Sequence, residues 1–150
     1  MCSDIVRLRK RGFARERDLV KKLWEVGFAC VRGPASGAKT RRIFYPDVVA
    51  IRNGRVYVFE VKTRKRLETI YIDRRKLLNL IDFARRAGGK AFIAIKIVDG
   101  VSDWRFIPVE RLEKTSSGMF RVTPEIYKHH GLRISDLIAD ATGQRRLLDF

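Results

Sequence analysis

A chain of 150 residues, 45% hydrophobic and 33% charged, is long enough for one domain with a real core and too apolar to be disordered. The formal net charge of +16 points to a polyanionic partner, nucleic acid foremost, rather than an anionic membrane surface, and a generally basic ribosome-associated protein would share that partner class. No apolar run approaches a membrane span, no apolar leader core follows the first residues, and Cys2 and Cys30 have no metal-ligand spacing, so the expected setting is the reducing cytoplasm, without membrane contact.

Residues 1–12 read as a basic lead-in ending in Arg9-Lys10-Arg11-Gly12, either an arm along phosphates or a frayed end. Phe13 to Val26 has the period of an amphipathic helix: Leu19, Val20, Leu23, Trp24 and Val26 form the apolar stripe, Arg17, Asp18, Lys21, Lys22 and Glu25 the polar face, and Gly27 the stop. Glu16 breaks this pattern, since it lies four residues before Val20 and seven before Leu23, on the apolar side. It is either an N-terminal acid favoured by the helix dipole or a carboxylate leaning over the sheet, and the second reading is preferred.

Phe28 to Arg32 reads as a short strand. Gly33 to Arg42 is a glycine-rich basic loop whose Ser36, Lys39, Arg41 and Arg42 can meet phosphate oxygens, or which is a solvated connection.

Tyr45 to Lys62 reads as a β-hairpin turning at Asn53-Gly54, a pair that tolerates the positive φ of a type I′ turn. With those two as loop residues, Arg52 faces Arg55, Ile51 faces Val56, Val49 faces Val58, and Asp47 faces Glu60 at a non-hydrogen-bonded position. Lys62 points to the same face as Glu60. Like charges opposed across a ladder are destabilising, so two carboxylates converging beside an ammonium suit a divalent cation between them, with a solvated surface cluster as the bland alternative.

Thr63-Arg64-Lys65-Arg66 extends the positive charge beside that pair. Asp73 to Ala87 is a second helix, with Asp73 as N-cap, a Leu77, Leu80, Ile81 and Ala84 stripe, and Gly88-Gly89 as the stop. Ala91 to Val98 is a strand buried on both faces, Trp104 to Ile107 its partner, and Pro108 opens a short helix through Leu112. Ser116-Ser117-Gly118 marks a boundary. The expected organisation is a core over 1–122 with a basic N-terminal arm and an appendage over 123–150 that is no independent domain, in which Ser135 caps a short helix. Adjacent His129 and His130, without a third ligand nearby, carry little weight as a metal site.

Pro46-Asp47, twelve intervening residues, then Glu60-Val61-Lys62 resembles the PD-(D/E)xK nuclease core, and Glu16 in the preceding helix matches that core's usual extra acid. Gly12-Phe13, Glu16-Arg17, Gly27-Phe28-Ala29, Arg32, Ser36-Gly37 and Pro46-Asp47-Val48-Val49-Ala50 together resemble the archaeal Holliday-junction resolvases over roughly residues 10–112. The resemblance implies an α/β, restriction-endonuclease-like core with a central mixed sheet flanked by helices. It implies a homodimeric endonuclease of recombination and repair that cuts four-way junction DNA and leaves a 5′-phosphate, dependent on Mg²⁺ with Mn²⁺ as substitute. A nucleoid location, with a sliding clamp or other recombination proteins as further partners, goes with it. The matching positions make Glu16, Ser36, Asp47, Glu60 and Lys62 the expected catalytic set and Glu16, Asp47, Glu60 and the Val61 carbonyl the expected metal ligands. Arg9, Lys10, Arg11, Arg17, Arg32, Lys39, Arg41, Arg42, Arg64, Lys65 and Arg66 are the expected DNA contacts. The alternatives are a nuclease of the same core acting on flaps, single strands or a duplex sequence, and a non-catalytic DNA-architectural module. RNA binding has less support, because no aromatic stacking motif marks a sheet.

Overall fold

A computed structural model describes residues 2–34, 43–100 and 103–144, with 2–13 as backbone only. Its centre is a five-stranded mixed sheet in the order β1 (Ala29–Arg32), β2 (Val48–Arg52), β3 (Arg55–Arg64), β5 (Lys90–Ile97), β6 (Arg105–Pro108). The β2–β3 hairpin has the expected register, Arg52 opposite Arg55 and Val49 opposite Val58, and the turn residues Asn53 and Gly54 have φ of 52° and 72°. β3 then pairs in parallel with β5, and the crossover between them is α2 (Arg74–Ala87).

Alternation along β3 divides the core in two. Tyr57 and Phe59 face a cluster closed by Leu19 and Leu23 of α1 (Cys2–Glu25), while Val58 faces a cluster closed by Leu77, Leu80 and Ala84 of α2. Each face therefore carries its own helix, and both helices reach the end of the sheet where Glu60 lies. α2 starts as expected, with the Asp73 side chain accepting the Arg75 and Lys76 amides, and ends at a left-handed Gly88.

Several expectations need correction. The lead-in is no separate arm: α1 begins at Cys2, because Arg, Leu and Lys are good helix formers and the one interior glycine, Gly12, weakens a helix without breaking it. Trp24 leaves the apolar stripe and is 65% exposed, since the strip of α1 that meets the sheet runs along Leu19 and Leu23. A second, three-stranded sheet, β4 (Ile70–Ile72), β8 (Phe120–Val122) and β7 (Glu113–Lys114), had no reading in the sequence. The helix expected from Pro108 through Leu112 is a single 3-10 turn, Val109–Arg111.

The C-terminal segment is built into the core. It forms α3 (Pro124–His130) and α4 (Ile134–Ala141), with Leu132 bridging to Phe106 and Leu137 wholly buried against the α1-side cluster. Ser135 is not the cap of α4. That helix starts at Ile134, two residues before the expected Asp136, and Asp136 accepts the Arg133 amide at 2.8 Å. Asp140, 1% exposed, is held by the Tyr57 hydroxyl and lies 3.3 Å from the Lys90 ammonium, and Asn53 donates to the Ala141 carbonyl at 3.0 Å. α4 thus clamps the hairpin turn. Among the described residues no helix is long and apolar enough to cross a membrane.

Candidate active site

The site lies where β2 begins. Asp47 is the residue before that strand, so it stands just outside the ladder that ends at Val48–Phe59. Its backbone is fixed from the other side: the Gly33 amide donates to the Asp47 carbonyl at 2.9 Å. A glycine is required there, because a Cβ on residue 33 would lie 2.1 Å from the Pro46 carbonyl oxygen. The Asp47 side chain crosses to β3, where Oδ2 accepts the Val61 amide at 2.7 Å.

Glu60 meets this carboxylate from the middle of β3. It is 9% exposed, and its carboxyl is in hydrogen-bond contact with that of Asp47. Burial first, then the Asp47 charge, push the Glu60 pKa up to about 7, opposed by Lys62 and Lys76. The Lys62 ammonium lies 3.8 Å from Glu60 Oε1.

Glu16 approaches from the α1 side. Burial, then Asp47, push its pKa up to about 7, while Arg32 opposes the rise. The charge of Asp47 is felt at Glu16, so α1 brings this carboxyl to the Asp47 side of the sheet. Asp47 is therefore the hinge of the group, touching Glu60 on one face and sensing Glu16 on the other. Among the described residues no three His, Cys, Asp or Glu side chains converge as a metal cluster, so the carboxylates are a pair with a flanking third.

The donor chemistry fits a hard divalent cation. Asp47 and Glu60 supply carboxylate oxygens, and the Val61 carbonyl leaves the strand on the same side as its amide, toward Asp47. Burial and the neighbouring Asp47 charge both work against the ionised form of Glu60, and a cation between the two carboxyls would relieve that condition.

Of the other expected residues, Ser36, Lys39, Arg41 and Arg42 lie outside the described residues. Arg9, Lys10 and Arg11 lie on the backbone of α1. Arg17 is exposed on that helix, and Arg32 ends β1 opposite Val48, one residue from Asp47. Arg64 pairs with Glu68 at 3.9 Å, and Lys65 and Arg66 are exposed beyond β3. Lys76 is the residue the sequence reading passed over. It sits in the first turn of α2 after Arg74 and Arg75, a run of cations at the end of a helix where the dipole disfavours them. That misplaced charge was the available signal.

Comparison with known proteins follows the same lines. A model of the archaeal Holliday junction resolvase (hjc) family matches residues 7–146. The chain is 35% identical over 130 residues to the crossover junction endodeoxyribonuclease Hjc of Sulfurisphaera tokodaii, covering 87% of each chain. It is 37% identical over 131 residues to the protein of the same name from Archaeoglobus fulgidus, covering 87% of this chain and 90% of that one. Among solved structures it is similar to Archaeoglobus fulgidus Hjc, described as a Holliday junction resolvase from an archaeal hyperthermophile. That match has a TM-score of 0.72 at 35% identity, over 82% of this chain and 96% of the other. The likeness covers the restriction-endonuclease-like core with its central mixed sheet.

Proposed function

Because this chain belongs to the archaeal Holliday junction resolvase (Hjc) family, we propose that it is a crossover junction endodeoxyribonuclease that resolves four-way DNA junctions by hydrolysing opposed phosphodiesters. The observation that carries the chemistry is the Asp47–Glu60 carboxyl pair, pegged to the Val61 amide and flanked by Lys62 at 3.8 Å.

Asp47, Glu60 and the Val61 carbonyl would hold Mg²⁺, with Mn²⁺ as a substitute. Such an ion, when bound, supplies positive charge to the scissile phosphate and acidifies water. The chain's own residues do the rest. Lys62 orients the attacking water and offsets the charge that grows on the phosphate oxygens. Placed 3.8 Å from Glu60 Oε1, it acts as a cation in the site rather than as a base. Glu16, on the α1 side of Asp47, takes a water proton when ionised. In-line attack of water oxygen on phosphorus breaks the bond to the 3′ oxygen, leaving a 5′-phosphate and a 3′-hydroxyl. A homodimer would bring two such sites to the two-fold symmetry of a four-way junction.

The test is a synthetic four-way junction incubated with the protein and Mg²⁺ and resolved on a denaturing gel, beside flap, single-stranded and linear duplex controls. Paired symmetric nicks near the branch point, absent without a divalent cation, are expected. Preferential cutting of the flap or the duplex would replace the reading with another nuclease of the same core, and binding without cutting would leave a DNA-architectural module.

A further inference from the structure

On the face of the main sheet that α1 covers, a groove of about 770 Å³ opens between Glu16 of α1 and Val61 of β3. Its walls are Ala14, Arg15 and Glu16 of α1, Val61 of β3, and the segments leaving β3 and β5, including Lys65 and Val98. Those two exits are tied together: the Val98 amide donates to the Arg64 carbonyl at 2.9 Å and the Asp99 amide to the Lys65 carbonyl at 3.0 Å. The floor is thus a continuation of the β3–β5 ladder rather than a free loop.

Two wall residues belong to the active site as well. Glu16 feels the charge of Asp47, and the Val61 amide is the one Asp47 holds. Anything bound at the acidic pair therefore has this groove as its next space on the α1 side.

The groove's charges select the ligand. Arg64 is engaged with Glu68 at 3.9 Å. Among the described residues Arg15 and Lys65 have no carboxylate within ion-pair distance. Asp99 also lines the groove and opposes them. Cations in a concave lining, with Ala14, Val61 and Val98 as its apolar part, match a ligand with anionic phosphates and less polar sugars. The volume is of the order that holds a ligand the size of a nucleotide.

We propose that this groove is the subsite for the DNA strand immediately beside the scissile phosphate, with Arg15 and Lys65 on its phosphates. The assignment rests on the nuclease reading above. It adds a second contact region, on the opposite face of the sheet from Glu60, so that the strand bends around the sheet's rim as it passes the site.

Equilibrium binding of the full chain to a four-way junction, in EDTA over a range of salt, tests it. The double variant Arg15→Ala/Lys65→Ala should bind more weakly and lower the salt slope by about 1.4–1.8. Asp99→Asn should bind more tightly than wild type. A neutral methylphosphonate at the linkage next to the cut should weaken wild type and cost the double variant nothing further. Arg15→Lys/Lys65→Arg should keep the wild-type slope, which separates lost charge from lost fold. An unchanged slope in the alanine variant, or weaker binding by Asp99→Asn, overturns the subsite while leaving the activity untouched. Failure of the wild-type protein to cut any junction would instead overturn the activity on which it rests.

Discussion

The Asp47 carboxylate is bonded to the backbone of β3, accepting the Val61 amide at 2.7 Å, rather than only facing Glu60 across the sheet. The bond lets a residue outside the ladder hold a fixed position, and it separates two roles that substitution can tell apart. Asp47→Asn keeps an acceptor for the Val61 amide and loses the charge. It should fold like wild type, bind junctions within a few-fold, and cut at least about 100-fold more slowly. Asp47→Ala should lose about 1–2 kcal/mol of stability besides, because the amide loses its partner. Cleavage kinetics and urea denaturation on both variants check this, and an Asn variant that cuts at the wild-type rate would remove Asp47 from the reaction.

The two raised carboxyls set a pH dependence. Glu16 and Glu60 both titrate near 7 in the folded protein, against a value of 4.5 without its surroundings. The folded state binds those protons more tightly than the unfolded one, so their stabilising contribution is full below about 4.5 and is lost as pH rises through about 7. In EDTA, Glu16→Gln and Glu60→Gln should therefore gain on wild type between pH 4.5 and pH 8, by roughly 2–6 °C in Tm at the upper end. Melting curves that run parallel for wild type and variants over that range would contradict the burial of these carboxyls.

What could be read in advance follows the range of the interactions involved. The hairpin register depends on a turn and on alternation within eighteen residues, so Asp47 and Glu60 could be brought together by counting outward from Asn53-Gly54. The Asp73 cap and the buried β5 were legible for the same reason. Lys76 was not, since its approach to Glu60 depends on how α2 crosses the sheet. The small second sheet was hidden by its length: three residues of alternation at Ile70–Ile72 give too little pattern to separate strand from loop. The C-terminal segment looked irregular because its two short helices and the Leu132 link between them are held by contacts with Tyr57, Lys90 and Phe106, all distant in sequence.

Gly33 holds Asp47 from behind, and the space for it is closed by the Pro46 carbonyl, 2.1 Å from where a Cβ would stand. Gly33→Ala must push Pro46-Asp47 away from β1. A displacement of this kind at a catalytic group can cost about 100-fold in rate, and the packing conflict should cost about 1–3 kcal/mol in stability. Cleavage at saturating junction, with a denaturation curve beside it, measures both. A variant equal to wild type in both would show that the β1 exit has no hold on the site.

Asp140 is the anionic centre of the clamp between α4 and the hairpin. It is 1% exposed, bonded by Tyr57 and near Lys90, with Arg55 donating to its carbonyl. Truncating Asp140 leaves the buried Tyr57 hydroxyl without its acceptor while the half-exposed Arg55 and Lys90 turn to water, so Asp140→Ala should lose about 1–3 kcal/mol. Tyr57→Phe removes one donor and should cost less, and the double variant should be less destabilised than the sum, because the two share one bond. The site residues Glu60 and Lys62 lie farther along β3 than Arg55 and Tyr57, which meet Asp140, so junction cleavage by Asp140→Ala should persist at temperatures well below its melting point. If Asp140→Ala unfolds at the wild-type midpoint, α4 is a surface attachment and not part of what holds the hairpin.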